Sequence, residues 1–386
     1  LHHPISTCRP MIVVLFFISG IYFLLMGSLL LGFRKQPKFQ QKAIPHKTRF
    51  SILIPFRNEA QNLPQLLESI SKLKYPKSLF EVVLINDESE DDSEAIVRKF
   101  IAGESISVQL LQNKRVSNSP KKDALTIGVA HANSEWIVTT DADCNLSSDW
   151  LTTLDEFIQK EKPVMVCGPI IYNSNDSLIE KFQLLDGLSL QTVTIGSFGL
   201  NFPLLSNGAN SAFLKSSFYQ VDGFEGNNHL ASGDDIFLME KIRRAFPGRL
   251  RFLKSRKALV ATQPQKSWKS LIEQRIRWAS KTSQQKNGFS WILGLNVFLT
   301  NLSLLAIPML LYFDLKNLWF YILIVLLKMF FDYQFINQSA RFFNTKTHLG
   351  GFVISFFIYP FVLIAVLIGS LSGKFAWKGR VYQNQQ

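Results

Sequence analysis

The sequence predicts an α/β fold in which a mainly parallel sheet is flanked by helices, with apolar helices that span a membrane on either side of it. Two observations support this prediction. Short apolar runs alternate with helical patterns from about residue 49 to residue 264, and long uncharged runs precede and follow that region. Strands that alternate with helices are typical of a parallel sheet covered by helices.

The predicted strands are short apolar runs of the kind that is buried on both faces of a sheet. They are residues 50–55, 81–85, 108–111 and 136–140. The segments between them have apolar residues at helical spacing, and the predicted helices are residues 63–73, 93–101 and 123–132. Because ligands bind at the carboxyl ends of the strands in such sheets, we expect polar motifs directly after the strands.

Polar loops do follow three of these strands, at residues 55–59, 86–93 and 141–143. The last loop contains Asp141 and Asp143, whose carboxylates point the same way from an extended chain and can share a hard divalent cation. Such a cation would bridge a diphosphate and offset the charge of a leaving group. The alternative is an Asp-rich turn that caps a helix beginning at residue 145.

The loop at residues 87–93 offers hydroxyls and carboxylates that can hydrogen-bond a nucleoside. The alternative is a solvated acidic turn in which Asp92 or Ser93 caps the following helix. The same segment partly matches a calcium-binding loop. Asp92 stands where that loop requires glycine, so we exclude a calcium loop.

Two further motifs follow. Asp234 and Asp235 precede a predicted helix, where a carboxylate either stabilises the helix start or acts as a general base toward an acceptor hydroxyl. Residues 274–278 read Gln-Arg-Ile-Arg-Trp. Arg277 is suited to bind a diphosphate, and Trp278 to stack on a sugar. The alternative for this segment is an amphipathic helix that lies at a membrane interface.

Four apolar runs are long enough to span a bilayer as helices. They are residues 11–32, 290–313, 318–336 and 350–371. The first run exceeds the apolar region of a typical signal peptide, so we expect an uncleaved signal anchor. The basic residues that follow it place the next part of the chain in the cytoplasm. The protein is therefore expected to be integral to the inner or plasma membrane.

The chain after the last apolar run carries Lys374, Lys378 and Arg380. Four spans that start outside the cell would place these residues outside, which the positive-inside rule disfavours. One of the four runs is therefore expected to lie at the interface rather than to span. Lys328 and Asp332 are four residues apart in the third run, where they can pair with each other.

The formal net charge of +13 does not indicate nucleic-acid binding, because the basic residues cluster next to the apolar runs. Fourteen Lys or Arg and a single acid, Glu273, lie between Lys241 and Lys286. A basic segment in that place suits anionic lipid headgroups and a diphosphate. The three cysteines have neither metal-site nor disulfide spacing, as expected of a reduced cytoplasmic domain.

In this order, the motifs resemble those of the family 2 glycosyltransferases, inverting enzymes with the Rossmann-like GT-A fold. The resemblance runs from about residue 50 to residue 278. It comprises an Asp after the second strand, a Lys before a helix, Asp-x-Asp, an acidic pair and Gln-x-x-Arg-Trp. It implies a nucleotide-sugar donor, most often a UDP sugar, and Mg²⁺ or Mn²⁺ as cofactor. Residues 377–380 (Trp-Lys-Gly-Arg) also resemble membrane members with lipid acceptors.

The resemblance further implies roles for individual residues. Asp143, with Asp141, would hold the metal, and Asp235, or its neighbour Asp234, would be the catalytic base. The donor-binding residues would be Pro55, Arg57, Glu59, Asp87, Ser89, Lys122 (or its neighbour Lys121), Asp141, Gln274, Arg277 and Trp278.

Four predicted domains follow: residues 1–48 (anchor and basic linker), 49–265 (catalytic), 266–289 (interfacial) and 290–386 (membrane). The expected function is sugar transfer to a membrane-associated, lipid acceptor. Residues 182–213 carry a single charge and would form the acceptor surface, or else a core helix and loop. A processive polysaccharide synthase is the first alternative, although its polymer channel usually needs more helices. A non-catalytic membrane adaptor is the second.

Overall fold

The computed structural model describes residues 5–173, 177–228, 230, 232–282, 288–371, 374–378 and 380–383. The chain forms two compact units. We call them the helical unit, which contains Leu1–Lys35, Asn175–Phe202 and Gln265–Ser372, and the sheet unit, which contains Gln36–Ser174, Pro203–Pro264 and Gly373–Gln386.

Secondary-structure elements are numbered in chain order. The strands are β1 Phe50–Phe56, β2 Phe80–Asn86, β3 Ser107–Gln112, β4 Trp136–Thr139, β5 Cys144–Leu146, β6 Met165–Cys167, β7 Ile170–Tyr172, β8 Ser211–Leu214, β9 Leu250–Phe252, β10 Val260–Thr262, β11 Lys374–Trp377 and β12 Arg380–Gln383. The helices are α1 Ile5–Lys35, α2 Leu63–Ser71, α3 Ser93–Gly103, α4 Pro120–His131, α5 Trp150–Glu161, α6 Leu178–Gly199, α7 Lys215–Gln220, α8 Asp234–Ala245, α9 Trp268–Thr282, α10 Gly288–Phe313, α11 Leu318–Phe343 and α12 Leu349–Leu371.

The sheet unit is built on a seven-stranded sheet with the strand order β3-β2-β1-β4-β8-β6-β9. Strands β3, β2, β1 and β4 run parallel, whereas β8 is antiparallel to both of its neighbours. This arrangement confirms the predicted α/β fold with a mainly parallel sheet. Strand β3 is only partly buried, so the expectation that it is buried on both faces was wrong. It lies at the sheet edge, where a strand has a neighbour on one side alone.

The core of the sheet unit holds the strand ends in place. Ile52 and Ile54 of β1 and Val82 and Leu84 of β2 are fully buried, and the apolar face of α2 packs against them. Each such side chain contributes roughly 1.5–3 kcal/mol when it leaves water. The polar loops after β1 and β2 therefore extend from a rigid support.

The chain after Asp143 differs from the alternative in which Asp141 and Asp143 cap a helix. Residues Cys144–Leu146 form strand β5, which pairs with β10 in a second, three-stranded sheet. The next helix, α5, begins only at Trp150, directly after Asp149. The capping interpretation of Asp141 and Asp143 was therefore wrong, because extended chain follows these two residues.

Among the residues that the structure describes, the helical unit contains four helices that are long and apolar enough to cross a membrane. They are the segment Met11–Lys35 of α1, helix α10, the segment Leu315–Phe343 that includes α11, and helix α12. Lys328 and Asp332 of α11 form the ion pair predicted from their spacing, with 2.6 Å between Nζ and Oδ2.

Helices α1 and α6 approach each other closely at two glycines. A Cβ added at Gly32 would overlap the carbonyl oxygen of Gly196, and one added at Gly196 would overlap the carbonyl oxygen of Leu29. Small residues of this kind allow the backbones of apolar helices to pack against each other. Helix α6 is thus a packing element of the helical unit.

The two compact units differ from the predicted domains in two places. Residues 175–202 group with the apolar helices, although they were assigned to the catalytic domain at 49–265. Residues 373–386 group with the sheet, although they were assigned to the membrane region. The stretch at 182–213 is divided accordingly, and its first part is the buried helix α6. Tertiary packing, which local composition does not encode, causes both differences.

Candidate active site

The loops after β1 and β2 are tied together by polar side chains. The backbone N–H of Asn58 donates to Ser89 Oγ (3.1 Å), and the side-chain oxygen of Asn58 accepts the N–H of Glu90 (2.8 Å). The N–H of Glu59 donates to Ser93 Oγ (2.8 Å). Asn58 and Glu88 both have left-handed backbone angles, with φ of 51° and 56°. The two loops thus form one ordered edge.

Arg57 also connects these two loops by hydrogen bonds. Its guanidinium donates to the carbonyl oxygen of Asp87 (2.9 Å) and to Glu90 Oε1 (2.7 Å). Pro55 lies within β1, opposite Ile85 of β2. The predicted donor-binding residues of this region therefore lie along one edge of the sheet, and Arg57 is bound to protein groups there.

Asp87 is a buried carboxylate surrounded by donors. Oδ1 accepts from Asn113 Nδ2 (2.8 Å) and from Arg115 Nε (3.2 Å), while Oδ2 accepts from Arg380 Nη1 (2.5 Å). Burial raises the pKa of Asp87, and the hydrogen bond from Asn113 and the charge of Arg115 act in the opposite direction. The carboxylate of Asp87 is fixed in position, and two of its three hydrogen-bond donors, Arg115 and Arg380, are cationic.

Lys121 connects the Asp-x-Asp pair to the acidic pair at the start of α8. Its Nζ lies 2.7 Å from Asp141 Oδ1 and 3.3 Å from Asp234 Oδ2. Burial lowers the pKa of Lys121, but the charges of Asp141 and Asp234 outweigh this effect and raise it, and Asp235 adds to the rise. A single ammonium group thus brings together acids that are far apart in the sequence.

Asp143 is a carboxyl with a raised pKa at this edge. Burial, together with the negative charges of Asp141 and Glu59, raises the pKa of Asp143 to about 7. The cations Lys378 and Lys121 act in the opposite direction. Acids thus crowd together here, and an additional positive charge would be favourable.

Helix α8 begins at the acidic pair, so both Asp234 and Asp235 lie in its first turn. Asp235 Oδ1 accepts the N–H of Ile236 (2.8 Å). This contact agrees with the expectation that a carboxylate stabilises the helix start. The negative charge of Asp235 also raises the pKa of Lys121. Both acids therefore act electrostatically on the same ammonium group.

Gly208 is a site residue that the sequence analysis missed. A Cβ added there would lie 2.7 Å from Asp234 Oδ2 and 3.3 Å from Lys121 Nζ. Its carbonyl oxygen accepts a hydrogen bond from Thr139 Oγ1 (2.6 Å) at the end of β4. The backbone of residue 208 therefore packs directly against the acid and lysine pair, which leaves no room for a side chain.

Lys122 takes a different position from the one predicted. Its side chain is 1% exposed, and Nζ donates to the carbonyl oxygens of Asn227 (2.6 Å) and Leu230 (2.9 Å). These contacts show that Lys122 holds the loop before α8. Lys121, the alternative named with it, is the lysine that reaches the acids of the Asp-x-Asp motif.

The Gln-x-x-Arg-Trp motif lies on helix α9 of the helical unit, as the amphipathic-helix interpretation predicts. Within it, Arg275 pairs with the largely buried Asp186 of α6 (2.5 Å) and lies 4.1 Å from the ring of Trp278. Arg275 also donates to Gln274 Oε1 (2.9 Å). The sequence analysis predicted no role for Asp186 or Arg275. Donor binding by Gln274, Arg277 and Trp278 stays a prediction.

The chemistry of Asp141 and Asp143 fits a divalent metal ion. In the part of the chain that the structure describes, no three His, Cys, Asp or Glu side chains are grouped to hold a metal by themselves. Two carboxylates offer hard oxygen ligands, and the repulsion that raises the pKa of Asp143 would be relieved by a cation. The remaining ligands would come from water and from a bound diphosphate.

Comparison with known families identifies the family to which this chain belongs. The family model described as glycosyl transferase family 2 matches residues 51–218, and the one described as glycosyl transferase family group 2 matches residues 136–333. The chain belongs to the family 2 glycosyltransferases. Both matches include Asp141 and Asp143, and neither extends to β11 and β12. Membership of the Gln-x-x-Arg-Trp branch stays a prediction.

Several relatives are similar to this family 2 chain over part of its length. The probable glycosyltransferase YdaM of Bacillus subtilis is 26% identical over 64% of this chain and 58% of its own length. The beta-monoglucosyldiacylglycerol synthase of Nostoc sp. is 30% identical over 33% of this chain and 27% of its own. The chain thus spans about 58% of the first relative and a smaller part of the second.

A solved structure supports the fold over nearly the whole chain. The mannosyltransferase PcManGT from Pyrobaculum calidifontis, in complex with GDP-Man and Mn²⁺, superposes with a TM-score of 0.58 at 16% identity. The superposition covers 96% of this chain and 99% of that one. At this identity the likeness concerns the fold, which is the GT-A-like fold with additional apolar helices.

Proposed function

We propose that this protein transfers a sugar from a nucleoside diphosphate donor, a UDP sugar being the expected class, to the hydroxyl group of a membrane-associated lipid. The observation that carries the proposal is the pair of contacts made by Lys121. Its ammonium joins Asp141, one of the two candidate metal ligands, to Asp234, the neighbour of the candidate base. A donor and an acceptor that react must meet at one place, and these acids lie at one edge of the sheet.

In this proposal the nucleoside lies against Asp87. Its carboxylate is buried and oriented by Asn113 and Arg115, so it is preorganised to accept hydrogen bonds from a base or ribose. The loop that carries Ser89 adds hydroxyl and backbone groups beside it. Lys121, rather than Lys122, is the lysine that assists the diphosphate, because Lys122 is committed to the loop before α8.

The proton of the acceptor hydroxyl goes to Asp235 in this mechanism. As the hydroxyl oxygen attacks the anomeric carbon, the bond from that carbon to the diphosphate oxygen breaks, and the carboxylate of Asp235 takes the proton. A single displacement of this kind inverts the anomeric configuration. Asp234 is paired with Lys121, and Asp235, the next residue of the same helix turn, is the proposed base.

Asp141 and Asp143 would hold Mg²⁺ or Mn²⁺. When bound, the cation supplies electrostatic stabilisation of the departing diphosphate. Lys121 contributes to the same task from the protein, since its ammonium contacts Asp141. The crowded acids around Asp143 explain why an added cation would be favourable at this place.

The proposal of a lipid acceptor is supported by the apolar helices and by one relative. In the described part of the chain, four helices are long and apolar enough to cross a membrane. The relative from Nostoc is named for a lipid product, a glucosyldiacylglycerol. The basic segment between Lys241 and Lys286 would lie near anionic headgroups, with the catalytic sheet in the cytoplasm.

The test is transfer by the purified protein in lipid nanodiscs, supplied with Mn²⁺, membrane lipid extract and each of several radiolabelled UDP and GDP sugars. We expect one labelled lipid, of inverted configuration, from one donor. Asp235→Asn should abolish transfer and retain donor binding. Asp222→Asn, which changes an acid outside the site, should leave both transfer and donor binding unchanged. A product ladder would instead indicate a polysaccharide synthase. Absence of any labelled product with all donors would refute the proposal.

A further inference from the structure

The β11–β12 hairpin belongs to the sheet unit, although it follows the last apolar helix in the sequence. Its strands are antiparallel, with Lys374 opposite Gln383 and Trp377 opposite Arg380. The hairpin lies beyond both family matches, so its role does not follow from family membership. Two cations at its turn reach the edge of the sheet that carries the candidate donor site.

Arg380 is bound to Asp87. Its Nη1 lies 2.5 Å from Asp87 Oδ2, and its Nη2 lies 3.3 Å from the carbonyl oxygen of Asp87. The other carboxylate oxygen of Asp87 is already held by Asn113 and Arg115. The guanidinium therefore completes the set of donors that fixes this carboxylate. The side chain of Arg380 is only 15% exposed, as expected of a contact that is part of the folded structure.

Lys378 is bound to the loop after β1. Its Nζ lies 2.5 Å from Glu59 Oε1, and its carbonyl oxygen accepts a hydrogen bond from Arg57 Nε (3.3 Å). Arg57 also donates to the carbonyl oxygen of Asp87 (2.9 Å). The ammonium of Lys378 thus lies at the loop after β1, and Arg57 of that loop connects it to Asp87.

We propose that the β11–β12 hairpin completes the donor site, with Lys378 binding the diphosphate and Arg380 positioning Asp87 for the nucleoside. This inference rests on the proposed function. Because Arg57 contacts the carbonyl oxygens of both Asp87 and Lys378, a donor whose nucleoside lies at Asp87 would bring its phosphates near the Lys378 ammonium. The ammonium has three donors, so it can retain Glu59 while it donates to a phosphate oxygen.

An opposing model assigns the two cations a blocking role. Lys378 and Arg380 would then occupy the site of the donor, and the donor would have to displace them from Glu59 and Asp87. The two models predict opposite signs for the change in affinity when either cation is removed. Measured affinities therefore decide between them.

The experiment uses the full-length protein in nanodiscs, with Mn²⁺, and measures the dissociation constants of UDP, GDP and uridine or guanosine by calorimetry. Lys378→Gln should weaken the nucleoside diphosphate about tenfold or more, as for loss of a charge-assisted hydrogen bond, and leave the nucleoside unchanged. Arg380→Gln should weaken both, because Asp87 loses its orientation. The control is Lys72→Gln, which removes a lysine from an exposed pair with Glu68 in the same unit.

Each outcome has one meaning. The ratio of the nucleoside to the nucleoside diphosphate affinity does not depend on the folded fraction, so partial misfolding of Lys378→Gln cannot imitate the expected result. Unchanged or tighter binding of the diphosphate by that variant would overturn the hairpin assignment and leave the proposed function standing. Failure of the unmodified protein to bind either UDP or GDP would overturn the proposed function and this inference with it.

Discussion

At the scale of single residues, the adjacent lysines of α4 have separate tasks. Lys121 contacts Asp141 and Asp234 at the candidate site, while Lys122 contacts two carbonyl oxygens of the loop before α8. The two side chains have the same charge and length. They differ only in the direction in which the helix presents them, since consecutive helical residues do not share a face.

We expect opposite phenotypes from Lys121→Met and Lys122→Met. The first should lower kcat/KM about tenfold to hundredfold with little change in thermal midpoint, because a charged contact worth roughly 1.5–3 kcal/mol is lost at the site. The second should lower the thermal midpoint, because the carbonyl oxygens of Asn227 and Leu230 lose a buried donor. Transfer assays and scanning fluorimetry on both variants check this. Equal effects on activity and stability would contradict the division of roles.

The acids at the strand ends could be predicted from sequence, because the ends of parallel strands meet at one edge regardless of how the helices turn. The positions of Asp87 and Asp141 at one edge of the sheet could be predicted from that rule. Lys121 could not be separated from Lys122, since the choice depends on the helix phase set by Pro120 at the start of α4. Gly208 escaped notice because its importance arises from packing against Asp234.

At the scale of elements, strand β2 is fixed to its surroundings by a buried carboxylate. Glu81 Oε1 accepts from Ser51 Oγ (2.6 Å) and from the N–H of Asn133 (2.6 Å), and Oε2 accepts from Gln109 Nε2 (3.0 Å). Burial alone would raise the pKa of Glu81, but the hydrogen bonds from Ser51 and Asn133 outweigh it and lower that pKa.

The lowered pKa of Glu81 predicts acid-dependent stability. A carboxyl whose pKa is lower in the folded state stabilises the fold above its unfolded pKa of about 4.3, and that contribution is lost as the pH falls through the folded value. Glu81→Gln should therefore lower the thermal midpoint at pH 7 and narrow its difference from the unmodified protein toward pH 3. Glu161→Gln, which removes an acid from an exposed pair with Lys160, should leave the thermal midpoint unchanged at both pH 7 and pH 3. A constant difference across this range would contradict the prediction.

In the helical unit, the crossing of α1 and α6 depends on glycine. Gly32→Val should lower the thermal midpoint in detergent, since any side chain there overlaps the carbonyl oxygen of Gly196. Gly20→Val is the matched control on the same helix, because no described atom outside the local backbone of that helix lies within 4 Å of a Cβ at that position. Similar midpoints for the two variants would show that the close crossing does not contribute to stability.

At the scale of the whole molecule, the sequence predicted the sheet and the apolar helices but not how the chain is shared between the two units. Strands and long apolar helices are determined by local periodicity. The grouping of α6 with the apolar helices, and of the β11–β12 hairpin with the sheet, depends on contacts between residues far apart in the chain. The pair Arg380 and Asp87, for example, spans 293 positions.

The place of the hairpin in the sheet unit constrains the membrane topology. Helices α10, α11 and α12 lie between residues 203–264 and the hairpin, and both of these segments belong to the sheet unit. A segment that packs with the sheet must lie on the same side of the membrane as the sheet. We therefore predict an even number of full crossings between them, with one of the three helices that does not cross completely. The expectation that one apolar run is interfacial stays a prediction.

We expect a cysteine added after Gln386 and one at Val116, an exposed residue of the sheet unit, to react from the same side of sealed membrane vesicles. The measurement is labelling with a membrane-impermeant maleimide before and after permeabilisation, in a background where the three native cysteines are serine. Cysteines at Leu315 and Leu349, both exposed, report which helix fails to cross. Labelling of the added cysteine from the side opposite to Val116 would mean that α10, α11 and α12 all cross. Lys378 and Arg380 could then not reach Glu59 and Asp87.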